Sequence, residues 1–225
     1  MKTTQALSKL KGFGTAQNRK IYARHGVSGP MFGVSYAHLG KLKKEIKLDQ
    51  ELAEGLWASG NHDARVLAAM IADPSAMKAG VLDAWCKEVD NHVLCDAVAT
   101  VAAASPAAAS CARRWRKSRD EWRSAAGWAV FGGIAADLPV AEVEEALATI
   151  EAKIQRSPNR TRHAMNQAVI SIGLCSAALQ RKAIASARRI GKVDVDHGET
   201  SCKTPDAEAY IKKTAAYRKA RATAR

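Results

Sequence analysis

Apolar residues recur along this chain at spacings of three and four. Leu94, Ala97, Val98 and Val101 fall at i, i+3, i+4 and i+7, as do Ala64, Leu67, Ala68 and Ile71. This is the period of a helix with one face in a core, whereas the alternating Val, Ile, Thr and Tyr of a strand is almost missing. Cap and turn residues divide the pattern. Asp49 caps a helix running through Trp57, Ser59-Gly60-Asn61 makes a turn, and 62–72 forms the next helix. Asp73-Pro74-Ser75 opens a helix over 76–87, and the spacing predicts more over 92–104, 107–117, 120–136, 140–155, 161–173 and 176–190. Thr204-Pro205-Asp206 starts a final helix whose apolar side is Ala207, Tyr210, Ile211 and Thr214. Near the N-terminus, Gly26 to Ser35 breaks a helical region that resumes over Tyr36 to Lys47. These glycines follow no strand and match neither a dinucleotide fingerprint nor a P-loop, so their role is structural.

Helix pairs joined by short turns, repeating every ~35–40 residues, are the pattern of an all-α, HEAT-like or armadillo-like helical repeat. The expected architecture is a superhelix, a curved stack of antiparallel helix pairs forming one domain over 1–225. Within it, 1–47 is a basic helical region, 48–190 holds the paired helices, and 191–225 is a polar loop with a basic helix. One helix of each pair lines the concave face, and 62–72, 92–104, 120–135 and 161–173 are the candidates.

Charge turns this scaffold towards a polyanion. The formal net charge is +13 and the sequence pI about 9.7. From Met1 to Lys47 there are ten basic residues, among them Lys41, Lys43 and Lys44, against Glu45 alone. The C-terminal end repeats this with Lys212, Lys213, Arg218, Lys219, Arg221 and Arg225. Such an excess favours nucleic acid first and an anionic membrane surface second. Five cysteines without a C-x-x-C pair read as reduced thiols. No apolar stretch is long enough for a signal peptide or a membrane span. A monomeric cytoplasmic protein associated with the nucleoid is expected, with duplex DNA as partner and no membrane.

Candidate chemistry centres on Asp90 to Asp96. His92 and Asp96, one turn apart, project away from the apolar stripe, and Ala99 and Ala103 continue their line. A carboxylate and an imidazole beside such small neighbours are open to a large ligand. An ordinary solvated His/Asp pair has the same spacing. On 161–173, His163, Asn166, Gln167 and Ile170 share the face opposite the buried one, and the amides suit sugars, phosphates or base edges. On 120–135, Ser124, Trp128 and Phe131 share a face; Trp128 either offers a flat surface to a sugar or base or fills the core. His197 and Cys202 in the polar loop suggest a thiol nucleophile with its base or half a zinc site, but two ligands without a second pair make no site, and no metal or nucleotide cofactor is expected.

Phe32-Gly33-Val34 with Leu39, Leu52-Ala53-x-x-Leu56-Trp57, Ala64-Arg65-x-Leu67-Ala68, Trp85 and Asn91 to Asp96 together resemble the DNA alkylation repair proteins of the AlkD type. The resemblance runs from about residue 20 to 190. It implies a HEAT-like superhelix holding duplex DNA in a basic concave groove, whose active members are glycosylases releasing cationic alkylated purines. The family's catalytic carboxylate falls on Asp96, which would stabilise an oxocarbenium-like sugar and position water. Its preceding tryptophan is His92 here, the groove arginine falls on Ser124 beside Arg123, and the second tryptophan falls on Gln167.

Three functions follow as expectations. The first is a glycosylase-type DNA-repair protein in which Asp96 acts with His92. Asn91, Trp128, His163, Asn166 and Gln167 then face the lesion strand, while Arg65, Arg123, Arg162, Lys43 and Lys44 hold phosphates. The second is a non-catalytic binder of damaged, bent or branched DNA, and the third a helical-repeat scaffold for an acidic partner or RNA.

Overall fold

A computed structural model describes residues 1–223, so Arg225 of the basic C-terminal cluster lies outside the described residues. Among these residues the chain is all-helical, with thirteen α-helices and two short 3-10 turns. It divides into two compact units, one of residues 1–107 with 197–201, the other of 108–196 with the segment from Cys202 onward.

The first unit contains α1 (Thr3–Phe13), α2 (Ala16–Arg24), α3 (Tyr36–Ile46), α4 (Gln50–Ala58), α5 (His62–Ile71), α6 (Ala79–Lys87) and α7 (His92–Ala103). Side-chain caps set where several of them begin. Asp49 accepts the Leu52 N–H at 3.0 Å, Asn61 that of Ala64 at 3.2 Å and Asn91 that of Leu94 at 3.1 Å. The expected stripe Ala64, Leu67, Ala68 and Ile71 is fully buried, because α5 packs on α3, α4 and α7. Trp57 and Trp85 stack at 4.2 Å in this core, and the Arg65 guanidinium covers the Trp57 ring. α6 starts three residues later than the spacing predicts. Asp73 accepts from both the Ser75 N–H and hydroxyl, making a separate turn, and Met77 is drawn into the core.

The second unit contains α8 (Ala108–Trp115), α9 (Glu121–Ile134), α10 (Val140–Lys153), α11 (Asn159–Gly173), α12 (Ala177–Ile190) and α13 (Ala207–Thr223). α9 lies between α8 and α11, and α11 also meets α12 and α13. Both central helices are therefore buried on more than one face. Gly127 permits the closest approach, since a Cβ there would stand 2.1 Å from the Arg116 nitrogen. Asp206 caps α13 by accepting the Ala209 N–H at 2.7 Å, as the Thr204-Pro205-Asp206 signal predicts. Ala207 and Ile211 bury, but Tyr210, expected beside them, is 48% exposed.

Candidate nucleic-acid interface

The face of α7 that carries Asp96 is narrower than its periodicity suggests. Leu94, Cys95, Val98, Ala99, Val101 and Ala102 are all buried, because α7 packs against both α5 and α6. Ala99 thus belongs to the core and leaves the open line. What remains beside the carboxylate is Ala97 and Thr100, whose hydroxyl donates to the Asp96 carbonyl at 2.8 Å. Asp96 is exposed and His92 half-buried.

That face forms the floor of a cavity of about 690 Å³ within the first unit. His92, Asp96 and Thr100 line it from α7, Tyr22 from α2, and Tyr36 and Lys43 from α3. His25, just after α2, brings its ring to 5.8 Å from that of His92. Much of the remaining wall is apolar, including Val66 and Met70 of α5 and Leu48 after α3. Loss of solvation, together with the negative charges of Asp96 and Asp63, pushes the Tyr36 hydroxyl above the ordinary tyrosine range. Tyr22 rises to about 12, from burial first and the Asp63 charge second. Both phenols remain protonated donors at neutral pH.

A buried carboxylate places these walls. Asp63, 1% exposed, accepts the backbone N–H groups of Phe32 at 2.6 Å, Gly33 at 3.0 Å and Val34 at 2.8 Å. The Tyr22 hydroxyl donates to the Val34 carbonyl. Gly33 takes φ +80° and has the Thr15 carbonyl 2.5 Å from where a Cβ would stand, so the loop needs glycine there. The glycine-rich stretch is structural, as expected, and it delivers α3 to the cavity.

Only part of the predicted contact set meets here. Asp96, His92 and Lys43 share the cavity, and Lys44 is exposed on the same helix as Lys43. Asn91 is corrected: it is 2% exposed, with its carbonyl oxygen engaged by Leu94 and its amide donating to Asp90, so it is a helix cap. Arg65 is held against Trp57 and paired with Glu88.

The remaining predicted contacts lie in the second unit. Trp128, 1% exposed, is core, with Arg116 over its ring and Phe131 against its edge. Ser124 is 5% exposed, its hydroxyl directed at the Arg116 carbonyl. Asn166 is 3% exposed and donates to the Pro205 carbonyl at 2.9 Å, because the segment leading into α13 crosses α11. Ile170 is buried as well. Arg162 donates to the carbonyls of Asp194 and Ser157, anchoring the polar loop. Arg123, His163 and Gln167 are half-buried on their helices. Cys202 is exposed, and among the described residues no group of three or more His, Cys, Asp or Glu is placed to hold a metal.

The two units use their charge differently. In the second, acids tie helices together: Arg113 and Arg116 of the α8 end pair with Glu142 and Glu145 of α10, Arg189 of α12 with Glu151, and Arg188 with Glu208 of α13. The Arg188 guanidinium and the Lys212 ammonium hold the Glu208 carboxyl down to about 2. In residues 1–47 of the first unit Glu45 is the lone acid, paired with Lys9 at 2.5 Å. The other nine basic residues of that segment are solvent-facing, and Lys43 reaches the cavity.

The family model described as DNA alkylation repair enzyme matches residues 6–212. The chain belongs to that family. An uncharacterized protein of Listeria innocua, Lin0241, is 30% identical over 213 residues, covering 92% of this chain and 94% of its own. An uncharacterized protein of Listeria monocytogenes, Lmo0209, is 29% identical over the same coverage. A solved structure described as a new family of proteins related to the HEAT-like repeat DNA glycosylases with affinity for branched DNA structures superposes with TM-score 0.87. It is 30% identical, covering 96% of this chain and 95% of that one. The all-α, HEAT-like fold class is thereby that of this DNA alkylation repair family member. No helix among the described residues is long and apolar enough to cross a membrane.

His25, Tyr22, Tyr36, Leu48 and Asp63 were not legible as site residues in sequence. Asp63 reads as an ordinary first-turn acid. Its one signal is that it follows the Asn61 cap by two residues, on a helix that is otherwise apolar apart from His62 and Arg65.

Proposed function

We propose that this family member binds DNA at branched or otherwise distorted sites, reading shape and charge without base excision. The observation that carries the reading is the nearly acid-free, solvent-facing cation set of α1–α3, of which Lys43 lines the Asp96 cavity. Such cations neutralise phosphates and set register, while a cavity that one of them lines accepts what a regular duplex does not offer. The affinity for branched DNA of the structural relative supports the same direction. So does the change at the two positions where the resemblance places tryptophans in active members: His92 and Gln167 stand there, and Trp128 is sealed in the core. Binding of a three-way junction and of a linear duplex, followed by anisotropy as salt rises, tests it. Tighter binding to the junction, falling steeply with salt, is expected; equal affinity for both forms would remove the preference.

A second reading is favoured by one observation, the exposure of the Asp96 carboxylate in an open cavity. Excision of cationic alkylated purines needs a carboxylate that reaches the sugar. Base release from methylated duplex by wild type but not by Asp96→Asn, at matched occupancy, would establish it.

A further inference from the structure

The turn after α3 combines two features that its role as a connection does not require. Lys47 takes φ 66° and ψ −133°, and among the described residues it is the one non-glycine with positive φ. α12 ends in nearly the same conformation, φ 71° and ψ −154°, with Gly191, which adopts it freely. A lysine in that place is strained, and strain persists where the side chains it presents are used. The residue it presents is Leu48, which is 60% exposed and lines the cavity mouth with Tyr36, 55% exposed.

The cavity interior indicates what enters past them. The cavity sets one carboxylate, Asp96, and one ammonium, Lys43, in a largely apolar wall, a lining that suits a group only part of which is anionic. The group that fits is largely apolar, with ring faces for the aromatic lining and N–H donors on one edge to meet that carboxylate. The volume of about 690 Å³ holds a nucleobase with its sugar. Tyr36 and His92 offer ring faces for stacking, and Lys43, in the same lining, supplies a cation for the connected phosphate.

The geometry points to a pocket for one unpaired nucleobase at a branch point, with Leu48 as the wedge that fills the vacated stack and Asp96 as the acceptor of the base's N–H groups. This rests on the DNA-binding reading above and adds to it a ligand and a selectivity. Guanine is preferred, because its N1–H and N2–H meet both carboxylate oxygens, whereas thymine offers a single N–H. An apolar side chain inserted at an unstacked step is the device by which architectural proteins hold kinked DNA.

The test uses the full chain and three fluorescein-labelled DNAs: a three-way junction with one unpaired guanine at the branch, the same junction with thymine, and a linear duplex. Wild type is expected to favour the guanine junction over the thymine junction roughly tenfold, and Asp96→Asn to bring that ratio near one. Leu48→Ala, and Thr100→Trp which obstructs the cavity from an exposed position, are expected to lower the junction-to-duplex preference roughly tenfold. Leu48 is exposed, so its variant keeps the fold even if Thr100→Trp does not. A junction preference that is blind to the base and unchanged in Leu48→Ala would overturn the pocket while leaving the DNA-binding reading standing. Absence of salt-sensitive binding to any of the three DNAs would remove both.

Discussion

The Asp63 carboxylate accepts the Gly33 N–H at 3.0 Å in the interior of the first unit, tying the first turn of α5 to the loop that launches α3. With the neighbouring bonds from Phe32 and Val34, one side chain satisfies three consecutive backbone donors. The positions of Tyr36 and Lys43 at the cavity depend on it. Asp63→Ala leaves those donors without their acceptor and is expected to destabilise the protein by about 3 kcal/mol, read by urea unfolding. A loss within experimental error would mean that the loop is held by its other bonds.

His62 gives the protein an acid-side weakness. It is 5% exposed, its Nδ1 has no hydrogen-bond partner, and burial lowers its pKa from the ordinary 6.5. The unfolded chain then takes up a proton near pH 6.5 that the folded chain refuses, so stability declines as pH falls below about 6.5. Thermal midpoints at pH 7.5 and 5.5 should differ less in His62→Phe than in wild type. Equal differences in the two proteins would assign the effect to other groups.

Much of the helical order was legible because caps are local. Asp49, Asn61, Ser176 and Asp206 bond within three residues of themselves, and each begins a helix where the sequence placed one. The burial of α9 and α11 was not. Periodicity assigns one inner and one outer face, but alanine and glycine at 125–127 and 132 let neighbours close on α9 from two sides. Ser124, Trp128, Asn166 and Ile170 consequently fell on a face that does not exist as a surface. The cavity walls escaped for another reason. Residues 22, 25, 36 and 48 line the cavity with Asp96 from elements far from it in sequence, and Asp63 holds the loop before residue 36 by a contact that no short spacing encodes.

Gly127 is expected to be intolerant of even one carbon. Its added Cβ would meet the backbone of Trp115 and Arg116 at 2.1–2.8 Å, and backbone has no rotamer by which to yield. Gly127→Ala should destabilise by about 1–3 kcal/mol, or more if α8 cannot shift, despite the better helix propensity of alanine. A gain in stability would show that the α8–α9 contact is looser than described.

Lys43 is the cation that reaches the cavity. Removing it should weaken DNA binding and lower the slope of log K against log salt by about one, as loss of a single phosphate contact does. Lys78→Ala, also exposed but outside residues 1–47 and away from the cavity lining, serves as a comparison. Equal effects of the two variants would indicate a diffuse charge effect.

A salt titration of binding to a three-way junction and to a linear duplex of equal length separates recognition of branched DNA from other modes of binding. Tighter binding to the junction is expected at every salt concentration, with affinity for both falling linearly on logarithmic axes as several phosphates lose their counterions. Binding that ignores salt, or that treats the two DNAs alike, would contradict it.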